Sequence, residues 1–121
     1  MKRSNPYESL RIDCLCDAEP VEAQSLCEIG SPDELISIST AVMPDGRWVY
    51  GYTVNWHIRD GQAKQQVSHS DPTPSLGLFA SQREARLYAV GYMLSYAEFF
   101  LPITVDALRR EEGHLRQMQL F

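Results

Sequence analysis

From residue 47 to residue 57 the chain alternates without a break. Trp48, Tyr50, Tyr52, Val54 and Trp56 fall on one side, and Val49, Gly51, Thr53, Asn55 and His57 on the other. A period of two belongs to an extended strand, whose successive side chains point to opposite faces. A strand with one aromatic face needs partners at its edges and a layer over that face. Turn signals on both sides, Pro44-Asp45-Gly46 and Arg59-Asp60-Gly61, predict antiparallel neighbours joined by short connections.

The preceding stretch, 35–43, sets Ile36, Ile38, Thr40 and Val42 against Ser37, Ser39, Ala41 and Met43, and reads as a second strand. Residues 63–70 form a weaker, polar strand suited to a sheet edge. Asp71-Pro72-Thr73-Pro74-Ser75-Leu76-Gly77 reads as loop. The covering layer follows. Ser81-Gln82-Arg83-Glu84 fits a capping box, and from 85 to 101 the only charges are Arg86 and Glu98, which predicts an oily helix over 82–101. Gly91 inside it marks a close approach of another backbone. Pro102 ends that helix, and Thr104 is placed to cap a second one running to about residue 119, with Val105, Leu108, Leu115 and Met118 on one stripe and Gly113 weakening its far half. Upstream, alternation over 10–16 suggests a strand, the spacing of Val21, Ala23, Leu26 and Cys27 a short helix, and Ser31-Pro32-Asp33-Glu34 a single helical turn.

These elements give a single α+β domain spanning 1–121. An antiparallel sheet of three or four strands packs against one long helix, with a shorter C-terminal helix. Residues 1–34 are an acidic leader, 35–101 the sheet and main helix, and 102–121 the last helix and tail. The helix over 82–101 has more apolar surface than one modest sheet covers. Either the leader and the last helix take the rest, or a partner does, including a second copy of the chain.

A chain of 121 residues with 44% hydrophobic and 22% charged residues can bury a core unaided. The formal charge of −5 arises in the leader, where eight acids face three bases; the remainder carries eight of each. That balance lacks the basic footprint of a duplex-binding surface. No apolar run is long enough to span a bilayer, and no apolar core follows the basic residues at 2 and 3, so a cytoplasmic protein is expected. Cys14, Cys16 and Cys27 are odd in number and suit reduced thiols. With His57, His69 and His114 they match no zinc spacing, so no metal is expected. Ser68-His69-Ser70-Asp71 sits on a polar edge without a nucleophile elbow, and no glycine-rich phosphate cradle follows a strand. The expectation is a non-enzymatic protein with no cofactor.

Two stretches resemble known families. Gln117-Met118-Gln119-Leu120-Phe121 resembles the peptide with which many bacterial replication and repair proteins dock on the DNA sliding clamp. The resemblance implies that Gln117 hydrogen-bonds in a small pocket, that Leu120 and Phe121 fill an apolar cleft, and that Met118 stands for the usual leucine. Separately, Asp45-Gly46-Arg47-Trp48, Asp60-Gly61 and Phe79-Ala80-Ser81 with Glu84-Ala85 resemble the arm-type DNA-binding domain of phage integrases. That likeness implies an exposed sheet face in the major groove, with Arg47, Asn55, His57, Arg59 and Lys64 as contact residues. Here, though, the face opposite the aromatics offers Val49, Thr53, Asn55 and His57 rather than arginines and lysines. The leading expectation is an accessory protein of bacterial or phage and mobile-element DNA metabolism that binds a protein partner, the sliding clamp being the candidate. The alternatives are a sheet-based nucleic-acid binder and a dimeric structural or inhibitory protein joined through the helix over 82–101.

Overall fold

The computed structural model describes residues 5–12, 18–21, 23–31, 34–57 and 65–117. Four strands, β1 (Ala23–Ser31), β2 (Glu34–Val42), β3 (Trp48–His57) and β4 (Gln65–Thr73), form an antiparallel meander in the order β1-β2-β3-β4. Two helices, α1 (Gln82–Leu94) and α2 (Pro102–Gln117), complete the expected α+β fold. They are 13 and 16 residues long, because the helix expected over 82–101 stops at Leu94. The Ser95 hydroxyl bonds back to the Tyr92 carbonyl at 2.5 Å, and a single 3-10 turn, Ala97–Phe99, leads into α2. Pro102 opens α2, a position where its missing N–H costs nothing.

The alternation read in β2 and β3 meets across the sheet. Ile36 pairs with Val54, Ile38 with Tyr52 and Thr40 with Tyr50. α1 lies over β2 and β3, and α2 packs on α1 and β1. Ile36, Ile38, Tyr50 and Val54 are buried beneath Tyr88, Ala89 and Leu108. Each such aliphatic side chain is worth roughly 1.5–3 kcal/mol when fully buried. Tyr50, Phe79 and Tyr88 form a ring cluster with centroids 5.0 to 6.0 Å apart. At the end of β2 the burial phase reverses. Ala41 and Met43 join Val49 and Leu78 in a small second cluster on the opposite face, because Phe79 bridges to Trp48 and brings the residues before α1 across that corner.

Several expectations change. The short helix expected over 21–29 is β1, whose residues pair with β2 from Ser31↔Glu34 to Ala23↔Ala41. Its loose spacing carried little helical signal, and the open edge of β2 wins it. The same pairing replaces the helical turn expected at 31–34, with Pro32 and Asp33 outside the described residues. Of the strand expected over 10–16, Leu10 belongs to a 3-10 helix, Glu8–Leu10, and Ile12 makes one isolated bridge to Leu78; residues 13–17 lie outside the described residues. The edge strand runs on through Asp71 and Pro72, which read as loop. A register shift between Tyr50 and Tyr52 absorbs the extra residue, and proline is tolerated at a sheet edge. Gly51 faces this bulge: a Cβ there would lie 2.5 Å from the Ser70 carbonyl oxygen.

The outer side of α1 is closed by the residues before β1. Asn5 Nδ2 donates to the Tyr88 carbonyl at 2.9 Å, Tyr88 OH donates to Glu8 at 2.9 Å, and Tyr7 OH donates to Glu112 on α2 at 2.8 Å. The side chains of Asn5 and Tyr7 seat directly on Gly91, where a close backbone was expected. The residues before β1 thus cover part of the apolar surface expected over 82–101, while Phe99 is 56% exposed. Ser81 does cap α1, accepting from the Glu84 amide at 3.1 Å. Thr104 does not cap α2. It is fully buried in the first turn, and the N-terminal acceptor is Glu34 of β2, 1% exposed, which takes the Leu101 amide at 2.7 Å.

Candidate functional site

The end of α2 is fixed by its own buried stripe. Leu108 and Leu115 are buried, and Arg83 Nη1 of α1 donates to the Leu115 carbonyl at 3.4 Å. Arg116 and Gln117 face solvent on the last turn. Gly113 does not interrupt the helix, which continues to Gln117. Of the clamp-type residues, Gln117 is therefore presented at the surface; Met118, Leu120 and Phe121 lie outside the described residues. Beside this turn a cavity of about 380 Å³ is lined by Pro6, Tyr7, Leu10, Arg83, Leu87 and Arg116. Burial and the neighbouring Glu112 carboxylate push the Tyr7 phenol above its ordinary pKa.

The sheet face turned away from the helices carries Ser37 and Ser39 from β2, Thr53 and Asn55 from β3, and Val67 and His69 from β4, each partly or well exposed. Of the residues proposed for nucleic acid, Asn55 stands on this face opposite Val67, and the His57 backbone pairs with Gln65. The His57 side chain, Arg59 and Lys64 lie outside the described residues. Arg47 sits at the other end of β3, roughly 26 Å from Asn55 along the strand. It is held by Asp45 through contacts of 2.6 Å, a pairing that keeps the Asp45 carboxyl below its usual range. Val49, expected on the open face, is buried in the second cluster.

One constellation here went unread in the sequence. Thr53 Oγ1 and His69 Nδ1 are 2.7 Å apart, and His69 Nε2 lies 2.8 Å from Asp71 Oδ1. Cross-strand register supplies the first contact, and two-residue spacing on β4 the second. A hydroxyl, an imidazole and a carboxylate in a row can relay a proton. The His69 and Asp71 side chains are 55% and 89% exposed, so this relay stands on an open sheet face instead of in a cleft. The i, i+2 pattern of His69 and Asp71 was visible in the sequence, but the Thr53 contact needed the register.

Among the described residues no group of three metal-ligating side chains comes together. Cys27 is half-buried, and burial raises its thiol pKa; Cys14 and Cys16 lie outside the described residues. No described helix is long and apolar enough to cross a membrane. Compared with protein-family models, curated proteins and solved structures, the chain matches none.

Proposed function

We propose that this chain is a non-enzymatic accessory protein that engages a protein partner through residues 117–121, the bacterial DNA sliding clamp being the partner that segment fits. The observation that carries the reading is where the segment starts. Gln117 is exposed on the last turn of α2, while two residues earlier Leu115 is 1% exposed. A rigid helix end followed by a short stretch with aliphatic and aromatic anchors is how linear motifs are offered to grooves. The sheet and helices serve here as a scaffold. Among the described residues, Tyr50 and Val54 of β3 are buried beneath α1 and Arg47 is engaged by Asp45, so these groups do not favour a phosphate-holding face.

The test is a titration of the intact protein, and of a peptide covering residues 112–121, against purified clamp. Saturable binding in the micromolar range that is lost in Leu120→Ala/Phe121→Ala is expected. A flat titration at high micromolar concentration, or binding unchanged by the double substitution, would overturn the reading. A salt-sensitive shift with duplex DNA that weakens on changing Arg47, Arg59 or Lys64 would favour the sheet-face alternative instead.

A further inference from the structure

A second site, independent of residues 117–121, is built where α1 ends over the sheet. A cavity of about 190 Å³ opens there to solvent, lined by Tyr52 and Val54 of β3, Ser68 of β4, Tyr92 and Met93 of α1, and Tyr96 and Phe100 beyond it. The rings of Tyr52 and Tyr92 have centroids 6.2 Å apart and planes 49° apart. Tyr92 and Tyr96 meet nearly edge-on, at 5.4 Å and 76°. The rings thus stand as adjoining walls rather than as a stack.

Among the described residues no charged side chain lines this cavity; the polar side chains that do are the hydroxyl-bearing Tyr52, Ser68, Tyr92 and Tyr96. Aromatic faces carry the negative lobes of a quadrupole, and three tyrosines lining one cavity can offer such lobes to a guest. That favours a cation. An ammonium or guanidinium group would surrender strong hydration for a few hydroxyls, whereas methyl groups on a quaternary nitrogen exchange little hydration for ring contact. An apolar cavity of about 150 Å³ admits benzene, so this one suits a guest of about seven non-hydrogen atoms. Its open side leaves a polar end of the guest in water.

We propose that this cleft binds the trimethylammonium head of a small quaternary ammonium compound, with Tyr52, Tyr92 and Tyr96 as its walls. The phenols stay neutral in use. Burial and the hydrogen bond with Tyr96 push Tyr92 up to about 12, so the site does not depend on a phenolate.

The probe is choline, with 3,3-dimethyl-1-butanol as the neutral isostere of the same shape, each titrated into the intact protein and followed by NMR. Choline is expected to give saturable shifts at Tyr92 and Tyr96 in the millimolar range, and the alcohol to bind about tenfold more weakly or not at all. Tyr96→Phe keeps the ring and keeps the binding; Tyr96→Ala removes one wall and weakens it about tenfold. Tyr96 is only half-buried, and native spectral dispersion elsewhere certifies that the variant is folded. Equal binding of the alcohol, no saturation with choline, or wild-type choline affinity in a folded Tyr96→Ala variant would overturn the proposal. Tighter binding of a trimethyllysine peptide than of choline would overturn its assignment to a small compound.

Discussion

Two glycines lie inside the helices, Gly91 in α1 and Gly113 in α2, and the same substitution at each is expected to move stability in opposite directions. In a helix interior, Gly→Ala stabilises by about 1 kcal/mol through backbone propensity alone. Gly113 realises this gain, because a Cβ there meets nothing within 4 Å. At Gly91 the new carbon would lie 2.5 Å from Asn5 Oδ1 and 2.6 Å from Tyr7 Cδ2. Asn5 cannot retreat without breaking its bonds to the Tyr88 carbonyl and the Tyr7 amide, both 2.9 Å. Nor can the Tyr7 ring move without releasing Glu112, 2.8 Å away. At about 1 kcal/mol for each such bond, displacement loses about 3 kcal/mol against a propensity gain of about 1 kcal/mol. Gly91→Ala should therefore destabilise by about 2 kcal/mol. Urea unfolding of both variants, with m-values compared to separate stability from compactness, reads the difference. If Gly91→Ala gains stability as Gly113→Ala does, the residues around Asn5 and Tyr7 are not seated on α1 and the account of its outer face fails. Asn5→Ala, which removes the first obstacle, should soften the effect of Gly91→Ala in a double-mutant cycle.

Other substitutions probe the joints between layers. Glu34→Ala leaves the Leu101 amide without its acceptor and should cost about 2–3 kcal/mol, whereas Glu34→Gln keeps an acceptor oxygen and should cost clearly less in thermal unfolding. Gly51→Ala sets a methyl group against the Asp71 and Pro72 backbone, which cannot yield as a side-chain tip can. A loss of about 1–3 kcal/mol is expected, with NMR shift changes centred on residues 68–73; a neutral effect would argue against the bulge. Tyr7, Tyr88 and Tyr92 all have pKa values raised mainly by burial, Tyr92 to about 12. Since the folded values exceed the unfolded one of about 10, their stabilisation is complete below that pH and is lost as pH rises through each folded value, for Tyr92 about 12. Absorbance of phenolate should then rise together with alkaline unfolding; full tyrosine titration of a still-folded chain at pH 10 would contradict it.

Residues 34–57 were largely legible because their period of two was unbroken and their turn chemistry explicit. Ile36, Ile38, Tyr50 and Val54 lie where alternation placed them, and Ser81 caps the helix it announced. The failures fell where local signals were weak or contradictory. Pro72 marked a loop by every local rule, yet an edge strand spares its missing N–H. Val49 belonged by parity to the open face, but Leu78 closes that corner over it. Gln117, Leu120 and Phe121 were recognisable as residue types, since a linear motif is read from sequence; the structure adds the exposure of Gln117. The tyrosine cleft was not legible at all, because Tyr52 and Ser68 come from paired strands while Tyr92 and Tyr96 come from the end of a helix.

By itself, then, the sequence determined the antiparallel strands β2 to β4 and the apolar helix that must cover them. Those follow from periodicity and residue type, which are local. Only the tertiary structure decided what closes the second side of α1, which carboxylate caps α2 and where a cavity remains. Each of these rests on groups far apart in the chain, such as Asn5 with Tyr88 and Glu34 with Leu101. Packing and hydrogen-bond satisfaction bring such groups together only after the layers have assembled.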